Sequence, residues 1–148
     1  MLLLAAALGV ALTAAGCGGD DDGEETTRAP LTREEFISEA DAICAEGDRE
    51  IEEAGEELGD APSEEELEQF TTEVVVPNVQ DQIDQLRELP PPEGDEEDVA
   101  AILDAAQRGV DELEADPSLG IQGEDAGGAF AEANQRAQGY GLTDCGGG

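Results

Sequence analysis

Residues 32–59, TREEFISEADAICAEGDREIEEAGEELG, decide the fold. Thr32 and Glu35 make the T-x-x-E pattern of a capping box, which satisfies two backbone donors at a helix start. Phe36, Ala40, Ile43, Gly47, Ile51, Ala54 and Leu58 follow at steps of three and four. That spacing predicts one amphipathic helix of about 26 residues with a narrow apolar stripe. Gly59 and Pro62 end it.

The same logic extends towards the C-terminus. Ser63 with Glu66 makes a second capping box, and Leu67, Phe70, Val74, Val75, Val79, Ile83 and Leu86 continue a helical stripe. Pro77 lacks an N–H and is expected to kink this helix. Val74-Val75-Val76 alone would also suit a short strand; the helical pattern on both sides favours helix. Pro90-Pro91-Pro92 closes the segment.

Asp95 is the expected cap of a third helix, with Glu96, Glu97 and Asp98 in the turn where the macrodipole favours anions. Its inward positions are Val99, Ile102, Leu103, Ala106, Val110 and Leu113, and Asp116-Pro117 stops it. After a loop over 117–124, a last helix over about 125–139 carries Phe130, Ala133 and Ala137. Gly127 and Gly128 weaken its start. Asp104 with Arg108 and Glu132 with Arg136 are expected as i,i+4 pairs. The fold class is therefore all-α: an antiparallel bundle of about four helices over 31–148, with a thin, alanine-rich core.

Residues 1–16, MLLLAAALGVALTAAG, carry no charge. The run is too short to span a ~30 Å hydrocarbon core, and it fits the apolar region of an export signal. Ala14-Ala15-Gly16-Cys17 resembles a bacterial lipobox, with Ala14 where that pattern usually has Leu. The resemblance implies cleavage before Cys17 and a diacylglycerol on its thiol. It places the chain on the extracytoplasmic face of the cell membrane, its partner there being the membrane itself. Met1-Leu2-Leu3-Leu4 lacks the positive start of an export signal, so the natural start is expected upstream. Residues 17–30 read as a lipidated cysteine and a flexible acidic tether.

Ala42-Ile43-Cys44-Ala45, Leu86-Arg87-Glu88-Leu89-Pro90-Pro91 and Tyr140-Gly141-Leu142 before Cys145 resemble small helical lipoproteins of high-GC actinobacteria. That resemblance covers most of 31–146. It implies architecture and location, and no catalytic residue.

With Cys17 lipidated, Cys44 and Cys145 remain. An even remainder in an exported chain points to a disulfide. The competing reading makes Cys44 a small buried hydrophobe, which leaves Cys145 unexplained in a Gly-rich, poorly packed tail. Tyr140-Gly141-Leu142 reads as a packed anchor for that tail.

Composition narrows the function. Asp and Glu number 39, Lys and Arg only 6, and the formal net charge is −33. Such a chain repels nucleic acid. Histidine is absent, so Ser-His and Cys-His catalysis and imidazole ligation are unavailable. Carboxylates crowd at Glu52, Glu53, Glu56 and Glu57, yet nothing sets two of them across a cleft as glycoside hydrolysis needs. Neither Asp20-Asp21-Asp22-Gly23 nor 116–127 has EF-hand spacing. Ser63 and Ser118 read as a helix cap and a turn residue. No catalytic residue, metal-ligand set or cofactor is assigned. The expected role is a non-catalytic binding or interaction module of unspecified protein or small-molecule partner. Low-affinity divalent-cation buffering at the cell surface is the alternative, and a hydrolase ranks third.

Overall fold

The structure, a computed structural model, describes residues 29–120 and 128–147. The expected signal segment, Cys17 and nearly all of the tether lie outside the described residues, as does 121–127. The described residues are helical, with no strand among them. The helices are α1 (Arg33–Glu56), α2 (Glu64–Phe70), α3 (Val76–Glu88), α4 (Glu96–Ala115) and α5 (Ala131–Tyr140). None of them is long and apolar enough to cross a membrane.

Both capping boxes form. The Glu35 N–H donates to Thr32 Oγ1 at 3.3 Å, and the Thr32 N–H donates to Glu35 Oε2 at 2.9 Å. Ser63 and Glu66 repeat the arrangement at 3.3 and 2.8 Å. The hydrogen bonds from Ser63 hold the Glu66 carboxyl below its ordinary pKa.

Between α2 and α3 lies a π-helical turn, Thr71–Val75, so α2 and α3 form one interrupted helix. Pro77 falls in the first turn of α3, not in an unbroken α ladder. The missing Pro77 N–H and the bulk of its ring are accommodated by the register change just before it, where the Val76 N–H reaches back to the Thr71 carbonyl. Val74, Val75 and Val76 are helical, which removes the strand alternative.

Antiparallel packing shows in the pairs that touch. Gly47 meets Gln82, and Glu50 accepts from Asn78 at 2.9 Å, so residue numbers fall on α3 as they rise on α1. Gln80 and Gln107 exchange hydrogen bonds between α3 and α4. Arg108 meets Glu132 between α4 and α5, at 2.9 Å. Arg108 thus reaches across to α5 and not to Asp104, the expected partner on its own helix; Glu132–Arg136 forms as expected, at 2.9 Å.

Among the described residues, two apolar clusters make the core. One gathers Phe36, Cys44, Leu86, Ile102, Tyr140 and Leu142 with their neighbours. The other holds Val76, Ile83, Val110 and Leu113, flanked by Phe130 and Leu119. The α1 stripe is buried only over its first half, at Phe36, Ala40, Cys44 and Gly47; Ile51, Ala54 and Leu58 are half-buried. Cys44 rather than Ile43 takes the fully buried position. Every expected inward residue of α4 is buried except Ala106, which is half-buried, and Ala105 and Gly109 join them. The last helix begins later than expected, at Ala131, with Phe130 half-buried just before it. The expected loop after α4 opens with a 3-10 turn, Pro117–Gly120.

Candidate functional site

Cys44 and Cys145 are joined, with Cα atoms 5.1 Å apart across 101 residues of sequence. The bridge is one of several ties on the C-terminal segment. Asp41, one turn before Cys44, turns its carboxylate to the tail and accepts from the Thr143 N–H (3.0 Å), the Thr143 hydroxyl (2.9 Å) and the Asp144 N–H (3.1 Å). Gln138 donates to the Gly146 carbonyl at 2.7 Å. Gly146 itself is buried. The expectation of a poorly packed tail is therefore corrected: local composition is loose, but a carboxylate on α1 supplies an acceptor for consecutive backbone donors.

Tyr140 anchors the start of that segment, as its sequence position implied. Its ring stands edge-on to Phe36, with centroids 6.0 Å apart. The Arg33 guanidinium lies 4.2 Å above the Tyr140 ring and donates to the Tyr140 carbonyl at 2.9 Å. The phenol donates to Asp95 at 2.8 Å. Burial, and then the hydrogen bond to Asp95, push the phenol pKa up to about 12. Asp95 does occupy the N-cap position of α4, but its side chain makes no cap bond; it serves Tyr140 and Arg33 instead. Gly141 takes a left-handed conformation (φ 112°) and lets the chain leave α5, so that Leu142 folds back into the core.

A cavity of about 220 Å³ opens along the seam between the two apolar clusters. Its walls are Val79 and Ile83 of α3, Ile102, Leu103 and Ala106 of α4, and Ala133 of α5. The Cys44–Cys145 bridge forms part of the lining. The cause is compositional: alanine at 106 and 133 buries little and does not fill the space between the clusters. Asp48, Asp144 and Gly147, all exposed, mark the mouth. Although Asp48 is exposed as a residue, desolvation of its carboxyl against the cavity wall, then the Asp144 charge, then Glu52, raise its pKa above the ordinary value. Among the described residues, no arginine lines the cavity and none forms an ion pair with either aspartate.

Two other recesses are polar. A groove of about 290 Å³ between α1 and α3 presents Glu46, Glu50 and Asp81 beside Gln82. A cleft of about 220 Å³ holds Arg33 and Arg136, but both guanidiniums are engaged, by Asp95 and Glu132.

The remaining sequence candidates stand apart. Glu52, Glu53, Glu56 and Glu57 are exposed at the C-terminal end of α1, with Glu53 3.6 Å from Arg49. Ser63 is a cap, and Ser118 donates its hydroxyl to Asp116 at 2.6 Å within the turn after α4. Among the described residues, no three His, Cys, Asp or Glu side chains come together as a group able to hold a metal ion. Sequence reading missed Asp41, Asp48, Asp144 and Gln82, because acidic and amide residues are too frequent here for any one to stand out. No protein family, curated protein or solved structure matches the chain.

Proposed function

We propose that this chain is a non-catalytic binding module, held on the extracytoplasmic face of the membrane by lipid on Cys17. The cavity beside the Cys44–Cys145 bridge is its ligand site. One observation carries the reading: the disulfide closes the wall of an apolar cavity. A structural disulfide suits an oxidising compartment, which agrees with the lipobox-like Ala14-Ala15-Gly16-Cys17. A concave apolar space with a few polar groups at one side is the usual form of a small-ligand site.

The test joins location to binding. The wild-type protein is expected to stay with membranes after an alkaline wash, and a Cys17→Ser variant to be released. A variant that stays bound removes the anchor. The net charge of −33 favours cation buffering as a second reading. Calorimetry with Ca²⁺ separates the two: a saturable stoichiometric site supports buffering, and weak heat that vanishes in moderate salt reports only screening.

A further inference from the structure

We propose that the seam cavity takes a small cationic amphipath, a short alkyl- or arylammonium free in solution, with its apolar body between α3, α4 and α5 and its ammonium group between Asp48 and Asp144. The inference rests on the binding-module reading above and adds the class of ligand.

Size sets the first limit. A dry apolar cavity of ~150 Å³ admits benzene, so about 220 Å³ suits a six-carbon chain or a single ring with a small head group. Lining sets the second. Val79, Ile83, Ile102, Leu103 and Ala106 offer only hydrocarbon, and an uncharged apolar body would gain from leaving water there. The mouth sets the third. Asp48 and Asp144 line the same cavity, where the Asp144 charge disfavours ionisation of Asp48, and no arginine is among the described lining residues. An ammonium placed there relieves that repulsion, whereas a carboxylate or phosphate head group would add to it. Gln82 and Asn134 supply further polar atoms in the same lining. Chain connectivity gives the site its rigidity: Asp144 is held next to bridged Cys145, and its N–H is bonded to Asp41, so the mouth is positioned before any ligand arrives.

The test uses the full chain carrying Cys17→Ser, which needs no detergent, titrated calorimetrically at pH 7 and low salt with hexylammonium and with 1-hexanol. Hexylammonium is expected to bind one per chain and about tenfold more tightly than hexanol, the scale of a partly buried charge interaction. Asp48→Asn or Asp144→Asn should bring the two affinities to within about twofold while leaving hexanol binding in place. Ala106→Leu, at a half-buried wall position, should weaken both probes at least tenfold by filling the space, and Ala133→Leu provides a second plug. Equal affinity for the two probes overturns the ligand class and leaves the binding module standing. An equal loss of hexylammonium binding in Glu114→Gln, an exposed charge outside the lining, shows general attraction to an acidic protein and overturns the site. If neither probe binds, the cavity is not a site for this class; the membrane anchor is judged separately by fractionation.

Discussion

Tyr140 shows how much one side chain organises. It touches Phe36, Arg33 and Asp95, and so ties α5 to α1 and to the start of α4. It is also the only tyrosine in a chain without tryptophan. A phenolate absorbance titration of the folded protein should therefore report this group alone, with a midpoint near 12. Because the folded pKa is raised, the neutral phenol favours folding, and that contribution fades as pH climbs from ~10 towards 12. An ordinary midpoint near 10 would remove the buried hydrogen bond to Asp95. Glycine 47 makes a different residue-scale point. A Cβ there would collide with the Gln82 side chain, which is buried and bonded to Asn78 at 2.7 Å. Gly47→Ala should lower stability by about 1–3 kcal/mol, read by urea denaturation, despite alanine's better helix propensity. A stabilised variant would show that Gln82 moves aside freely.

Among the elements, α1 and α2 have capping boxes, and their caps are independent because different helices own them. Thr32→Ala and Ser63→Ala should each cost about 1 kcal/mol and add when combined, measured by chemical denaturation. The Ser63 box also has a pH signature. Glu66 has a lowered folded pKa, so its contribution is present above the unfolded value and is lost as pH falls through the folded one. Glu132, held low by Arg108 and then Arg136, acts in the same direction. Asp48 acts oppositely: its raised folded pKa means that acidification favours folding until the unfolded value near 4 is passed. A Ser63→Ala variant should therefore lose less stability than wild type between about pH 5 and pH 3. The π turn before Pro77 belongs to this scale too. It lets one helix contain a proline by changing hydrogen-bond register over five residues instead of leaving a single broken bond.

For the whole molecule, the Cys44–Cys145 bridge closes a loop of 101 residues. The chain-entropy treatment gives about 4.7 kcal/mol for a loop of that length. Against a total of ~5–15 kcal/mol for a domain, that is a large share. Cys145→Ser is expected to lower the melting temperature by well over 10 °C, with Cys44→Ser doing the same; a shift of a degree or two would mean that Asp41 and Gln138 hold the tail without the bridge. Thiol titration of the unfolded, unreduced Cys17→Ser chain should find no free thiol. Charge is the other global quantity. At −33, like charges repel across every surface, so added salt should raise the melting temperature at pH 7. A melting temperature indifferent to salt would show that the charges are spaced beyond effective repulsion.

The sequence by itself determined the helices, the caps at Thr32 and Ser63, and the pairing of Cys44 with Cys145. Those depend on neighbours three or four residues apart and on a parity argument, both of which are local or countable. It also exposed the anchor segment of α5, because Tyr140 and Leu142 are scarce large residues in an alanine-rich stretch. It misassigned Asp95 and the partner of Arg108, since a carboxylate can serve its own helix or another, and only packing chooses. The cavity was invisible for the same reason. Alanine at 106 and 133 fits a helix stripe perfectly well; that it leaves space appears only when α3, α4 and α5 converge from distant parts of the chain. The carboxylates at its mouth are two among 39 acids. What distinguishes Asp48 and Asp144 is proximity across about a hundred residues, a relation that the fold and the disulfide create and no local pattern encodes.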